Sequence, residues 1–151
     1  MRTSHLYSGF KYAGVLPSVH AQRQIQREMF CALSPRLLLI VGCGYGEEIA
    51  ELLSKSPLEI SNLRITAIDL APVEEELRSQ SFASVLGSRL QWMCVDLLDA
   101  AQVPEYGRFD AVQCGFVLHD IDYCHKNRAL MILARAVRPG GHVIISDIFV
   151  S

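Results

Sequence analysis

A glycine cluster and three strand-end carboxylates carry the most legible chemistry in this chain. Gly42-Cys43-Gly44-Tyr45-Gly46 directly follows an apolar run and precedes a helix-forming stretch. Glycines at this spacing let the backbone turn tightly and approach a ligand at a helix N-terminus. The same glycines also suit plain close packing of a strand against a helix, so the loop alone is a weak signal. Asp69 strengthens it by ending the next apolar run, where a carboxylate can accept two hydrogen bonds from a vicinal ribose diol. The competing reading of Asp69 is a cap before Ala71-Pro72. Asp96, in Cys94-Val95-Asp96-Leu97, ends a third run and can accept from an exocyclic amine such as adenine's.

A second group follows the fourth apolar run. His119 offers an imidazole, the side chain most often used as a general base, with Asp120 beside it. The structural alternative has His119 packing against a crevice while Asp120 and Asp122 cap a helix beginning near Tyr123 or Cys124. His119, Asp120, Asp122, Cys124 and His125 also form a dense set of potential metal ligands. Without a supporting ligand set of recognised spacing elsewhere, no metal is assigned. Trp92 and Met93 read as core, and Arg135 and Arg138 as helix-end cations.

These residues need a scaffold, and the hydrophobic pattern supplies one. Met1 to Pro17, with Tyr7, Phe10 and Tyr12, reads as a surface-docking arm. A lead-in helix starts at Pro17-Ser18 and carries Val19, Ile25, Met29 and Leu33 as its stripe until Ser34-Pro35. Arg36 to Val41 is strand 1, a continuous apolar run of the kind buried on both faces of a parallel sheet. A helix over Glu47 to Lys55 is closed by Ser56-Pro57; strand 2 spans Leu63 to Leu70, and a helix spans Pro72 to Gln80. Strand 3 covers Leu90 to Val95 and strand 4 Phe109 to Cys114; Pro139-Gly140-Gly141 ends a helix over Lys126 to Val137, ahead of strand 5 at His142 to Phe149. This alternation predicts an α/β fold with a doubly wound parallel sheet in the order 3-2-1-4-5. A ligand crevice then lies beyond the carboxyl ends of strands 1 and 4, where the winding reverses.

Composition narrows the class further. The 151 residues are 50% hydrophobic and 20% charged, which suits one core-rich domain. Fourteen basic and sixteen acidic residues leave a formal charge of -2, so no basic footprint for nucleic acid or anionic lipid stands out. The five cysteines include no CxxC pair, and a disulfide framework is not expected. With neither a signal-peptide core nor a membrane-length apolar run, the expected address is cytoplasmic.

Taken together, the motifs resemble those of the class I S-adenosylmethionine-dependent methyltransferases, from about Leu37 to Ile148. LLLIVGCGYG is similar to the family's first motif, ITAIDLAP to its second, WMCVDLLD to its third and FDAVQCGFVLHDI to its fourth. LARAVRPGGHVIISD is similar to its closing helix, turn and strand. The resemblance implies that S-adenosylmethionine is the cofactor and a small molecule with an oxygen, nitrogen or carbon nucleophile the acceptor. It places Gly42, Cys43, Gly44 and Gly46 under the methionine part, Asp69 on the ribose and Leu70 against adenine. It also sets Asp96 and Leu97 at adenine's amino edge, the Cys114 carbonyl near the cofactor's amino group, and Phe116 to His119 on the substrate side. On this reading residues 1–35 are the arm and lead-in helix, and 36–151 the cofactor-binding domain.

Two departures motivate a rival. The family's usual acidic residue two positions before the first glycine is replaced by Ile40, removing a contact to the cofactor's ammonium worth about 1.5–3 kcal/mol. The family's C-terminal β-hairpin is also missing, which implies either truncation after strand 5 or a homodimer or protein partner covering that edge. The rival is therefore a catalytically degenerate, methyltransferase-like binding or scaffold protein. An NAD-dependent oxidoreductase is a third reading, but its fingerprint is GxGxxG, whereas here Glu47 and Glu48 follow Gly46 and oppose a pyrophosphate.

Overall fold

The computed structural model describes residues 17–54, 62–103 and 107–147. The N-terminal arm, apart from Pro17, the Ser56-Pro57 stop and the end of the expected strand 5 lie outside those residues. The described elements are α1 (Pro17–Leu33), β1 (Leu37–Val41), α2 (Glu47–Ser54), β2 (Arg64–Asp69), α3 (Glu74–Arg78), α4 (Ser81–Leu86), β3 (Leu90–Cys94), β4 (Phe109–Gly115), α5 (Tyr123–Ala136) and β5 (Val137–Ser146). The strands pair in parallel, in the order β3-β2-β1-β4-β5, as the alternation of strands and helices predicts.

β1 shows why the sheet forms. Successive side chains of a strand point to opposite faces, so a run of five apolar residues is stable only where both faces are covered. Leu38 and Ile40 pack with Phe30 of α1, Ile49 and Leu52 of α2, Leu77 of α3 and Phe82 of α4. Leu39 and Val41 pack on the other face against Ala129, Ile132, Leu133 and Ala136 of α5. Each fully buried Leu or Ile contributes about 1.5–3 kcal/mol relative to exposure, so this strand anchors the domain.

Three local expectations are corrected. The helix expected over Pro72 to Gln80 is the shorter α3, Glu74–Arg78, and an unexpected second helix, α4, follows at Ser81, where Phe82 and Leu86 supply a separate apolar face. Pro139-Gly140-Gly141 does not separate α5 from the last strand; β5 begins at Val137, directly after the helix. Phe109 pairs with Val137 and Ala111 with His142, so Arg138 to Gly141 bulge out within the strand pairing. Met93 is exposed and Trp92 only half-buried, since β3 is an edge strand.

Asp110 fixes the geometry at that bulge. Its Oδ2 accepts from the amides of Arg36 and Leu37, both at 2.8 Å, and its Oδ1 accepts from Arg138 Nε at 2.6 Å. Burial pushes the Asp110 pKa up, but the Leu37 amide, the Arg138 guanidinium and the Arg36 amide together hold it below its usual value. A depressed carboxyl contributes stability that is present above the unfolded pKa and lost as pH falls through the folded one. Asp110→Asn is therefore expected to lose about 1–2 kcal/mol at pH 7. Denaturant melts should show that gap closing below about pH 4; an equal gap at pH 3 would refute this role.

Candidate active site at the β1 and β4 strand ends

The three glycines of the loop are needed for different reasons. Gly42, Gly44 and Gly46 all have positive φ, at 70°, 48° and 80°, a region that L side chains enter only under strain. A side chain at Gly42 would strike Val117, and one at Gly46 would strike Phe82 and Leu77. Around Gly44 no atom lies within 4 Å of where a Cβ would stand. Packing thus explains Gly42 and Gly46, while Gly44 leaves bare backbone facing open space that a ligand can approach.

Asp69 holds this loop against β2. Its Oδ2 accepts from the Gly44 amide at 2.8 Å and its Oδ1 from the Ala71 amide at 2.9 Å. An ionised carboxylate has about four acceptor directions, so both oxygens keep capacity for a ligand hydroxyl. The capping and ligand-binding readings are compatible here: one carboxylate ties two segments and stands at the strand end. Leu70, next to it, is 47% exposed and offers an apolar face at the crevice.

The other expected contacts divide. Asp96 is half-buried and its Oδ1 accepts from the Leu98 amide at 2.9 Å, a local turn bond. Leu97 points into the core beneath β2 and β4 rather than outward. Cys43 is buried in the core on the α2 face, and burial, reinforced by Asp69, pushes its thiol far above the ordinary range. Cys114, in register with Val41 and Ile145, is also interior, and burial pushes its thiol up too. Neither thiol can serve as a nucleophile near neutral pH.

At the end of β4 the chain turns sharply. Phe116 adopts φ 56° although it is not glycine; its side chain is buried against Val19 of α1, and its amide donates to the Ser146 carbonyl at 2.8 Å. A left-handed residue of this size persists only where its surroundings enforce it, at about 1–3 kcal/mol. This turn brings the 3₁₀ segment Leu118–Asp120 over the end of β5. There Asp147 grips His119 twice: Oδ2 accepts from the His119 amide at 3.1 Å, and Oδ1 lies 2.6 Å from Nδ1. The Asp147 side chain is 1% exposed, whereas that of His119 is 30% exposed.

Asp120, the expected partner, stands 3.6 Å from His119 Nε2, beyond hydrogen-bond range. Asp147 is the tighter partner, one the motif reading missed. The expected strand 5, His142 to Phe149, runs through Asp147 and hid this position, whereas β5 ends at Ser146 and sets Asp147 just past the strand. Asp122 takes the N-cap position of α5 without a side-chain capping bond; its carbonyl accepts from the His125 amide at 2.8 Å. Among the described residues no three His, Cys, Asp or Glu side chains gather closely enough to hold a metal ion. Nor is any described helix long and apolar enough to cross a membrane.

A polar network lies on the α1 and α2 face of the sheet. Gln113 of β4 donates through Nε2 to Glu48 Oε2 at 2.7 Å and to Gln26 Oε1 at 3.1 Å, and Gln26 Nε2 donates to Ser146 Oγ. Burial pushes the Glu48 pKa up, nearby Arg23 lowers it and Glu47 raises it, leaving it at about 7.

The methyltransferase-domain profile matches residues 39–143. The chain belongs to the methyltransferase domain family. Its parallel sheet is the Rossmann-like sheet of the class I methyltransferases, shared with solved members. An O-methyltransferase family protein from Burkholderia thailandensis is 25% identical with a TM-score of 0.62, over 83% of this chain and 39% of that one. The N-methyltransferase NodS from Bradyrhizobium japonicum, in complex with S-adenosyl-L-homocysteine, is 21% identical with a TM-score of 0.60, over 81% and 60%. The 1,6-didemethyltoxoflavin-N1-methyltransferase of Burkholderia thailandensis, with bound 1,6-didemethyltoxoflavin and S-adenosylhomocysteine, is 20% identical with a TM-score of 0.58, over 96% and 64%. This methyltransferase domain thus spans less than two thirds of the length of each of these proteins.

Proposed function

We propose that this domain binds S-adenosylmethionine at the β1 and β4 strand ends and transfers its methyl group to a small molecule bearing an oxygen, nitrogen or carbon nucleophile. The observation that carries the reading is the joint placement of bare Gly44 backbone, Asp69 and exposed Leu70 at one edge of the sheet. Asp69 would take the ribose diol, Leu70 an adenine face, and Gly42 to Gly46 the amino-acid tail; Asp96 stands beside the adenine edge. The likeness to methyltransferases solved with S-adenosylhomocysteine supports the same cofactor.

Bound S-adenosylmethionine supplies an electrophilic methyl group on a sulfonium centre, and displacement by a nucleophile is in-line. The domain then needs to hold the acceptor in place and, where the acceptor is protonated, to remove a proton. His119 serves as that base. With Nδ1–H donating to the Asp147 carboxylate, Nε2 is the ring nitrogen that would take the acceptor's proton. Asp147 is a positioning residue, fixing the tautomer and ring orientation as carboxylates commonly do for catalytic histidines.

Thermal unfolding in the presence of S-adenosylmethionine, S-adenosylhomocysteine and NAD tests the cofactor assignment. The first two should raise the transition temperature, by about 2.7 kcal/mol of stabilisation at a ligand concentration of 100 Kd, and NAD should not. Gly44→Val should abolish the ligand effect. Stabilisation by NAD alone would overturn the assignment in favour of an oxidoreductase.

A further inference from the structure

We propose that Glu48 is the carboxylate that recognises the ammonium group of the cofactor's amino-acid tail; this rests on the S-adenosylmethionine reading above. β1 presents no charge at its end of the crevice, since Ile40 is wholly buried and apolar. Ile40 pairs in register with Gln113, and Gln113 donates to Glu48 Oε2, so the carboxylate stands one side chain from Ile40, over the α1 and α2 face of the sheet. The other oxygen, Oε1, occupies the space that a side chain at residue 115 would fill. Gly115 ends β4, and its carbonyl lies 3.7 Å from where a Cβ on Gly42 would stand. Glu48 therefore meets the floor of the crevice where the first loop glycine and the end of β4 converge.

The surroundings suit a zwitterion. Glu48, Arg23, Gln26 and Gln113 share one cleft between α1 and α2. The Arg23 guanidinium engages Glu47 at 2.8 Å through Nη2, while its Nε is buried without a hydrogen-bond partner. Arg27, on the next turn of α1, faces Glu51 at 3.4 Å. Beside the Glu48 carboxylate stands a guanidinium with one unused N–H, opposite charges of the kind that the two ends of an α-amino acid would meet. Burial leaves Glu48 half-titrated near neutral pH in the free protein. A cation placed beside it favours the ionised form, so binding expels a proton. Arg23, Arg27, Glu47 and Glu51 are the charged groups around Glu48, the buried Cys43 and Cys114 thiols lie within its field, and its neighbours Gln26 and Gln113 are neutral.

Calorimetry of the intact chain tests this with Glu48→Gln, which retains an oxygen to accept from Gln113. S-adenosylhomocysteine should bind the variant about ten- to hundredfold more weakly, the effect of one charged hydrogen bond. Methylthioadenosine, which lacks the amino-acid tail, should bind both forms equally. At pH 7 the heat of S-adenosylhomocysteine binding should vary with the ionisation enthalpy of the buffer in the wild type and not in the variant. An unchanged S-adenosylhomocysteine affinity, or an equal loss for both ligands, overturns the role of Glu48 and leaves the cofactor assignment intact. Absence of binding by the wild type overturns both.

Discussion

His119→Ala is expected to lower kcat for methylation of a protonated acceptor by about 10²- to 10⁴-fold, the usual contribution of a positioned general base. Affinity for S-adenosylhomocysteine should hardly change, because the proposed role of the imidazole is toward the acceptor and not the cofactor. Asp147→Asn should lower kcat by a smaller factor and alter the pH profile, since an amide cannot stabilise the imidazolium as a carboxylate does. The 2.6 Å contact and the near-complete burial of the Asp147 side chain carry this expectation. Asp120→Ala should have a lesser effect, given its 3.6 Å separation from Nε2. Steady-state kinetics over a panel of phenols and amines at several pH values would decide the matter. Full activity of His119→Ala toward a phenol would exclude the imidazole as base.

Gly46→Ala should be strongly destabilising for a change of a single methyl group. The added Cβ would press on the Phe82 ring and Leu77, both buried, and the φ of 80° is itself unfavourable to alanine. Left-handed strain of about 1–2 kcal/mol and overpacking of about 1–3 kcal/mol together predict a loss of about 2–5 kcal/mol. For a domain of this size that lowers the transition temperature by about 4–20 °C. Gly44→Ala meets open space and should lose only the backbone component. Differential scanning calorimetry of the two variants compares them directly; equal losses would show that packing does not distinguish the two glycines.

The sequence was most legible where burial on both faces leaves few alternatives. LLLIV, RITAID and FDAVQCG are short apolar runs, and their alternation with helical stretches was enough to order the sheet. Prediction failed where turn-forming residues do not end an element. Ser79 and Gln80 end α3 without ending the helical region, since α4 follows at once, and Pro139-Gly140-Gly141 sits in a bulge held by Asp110 and Arg138. At the site, the strand-end position of Asp69 was readable from pattern, but its grip on the Gly44 amide was not. The contacts of Asp147 and Glu48 were not readable because their partners are distant in sequence: 28 residues separate His119 from Asp147 and 65 separate Glu48 from Gln113. Leu97, placed at a binding edge by motif, is turned into the core by the local bend at Asp96.

The central claim is that an adenosyl amino acid binds over the Gly42–Gly46 loop with Asp69 on its ribose. Isothermal titration of the purified chain and of Asp69→Ala with S-adenosylhomocysteine tests it most directly. The account predicts one site per chain in the wild type and a loss of at least about tenfold in affinity for the variant, as expected for charged hydrogen bonds to the ribose. No detectable heat from the wild type at millimolar ligand, or equal affinity in the two proteins, would contradict it.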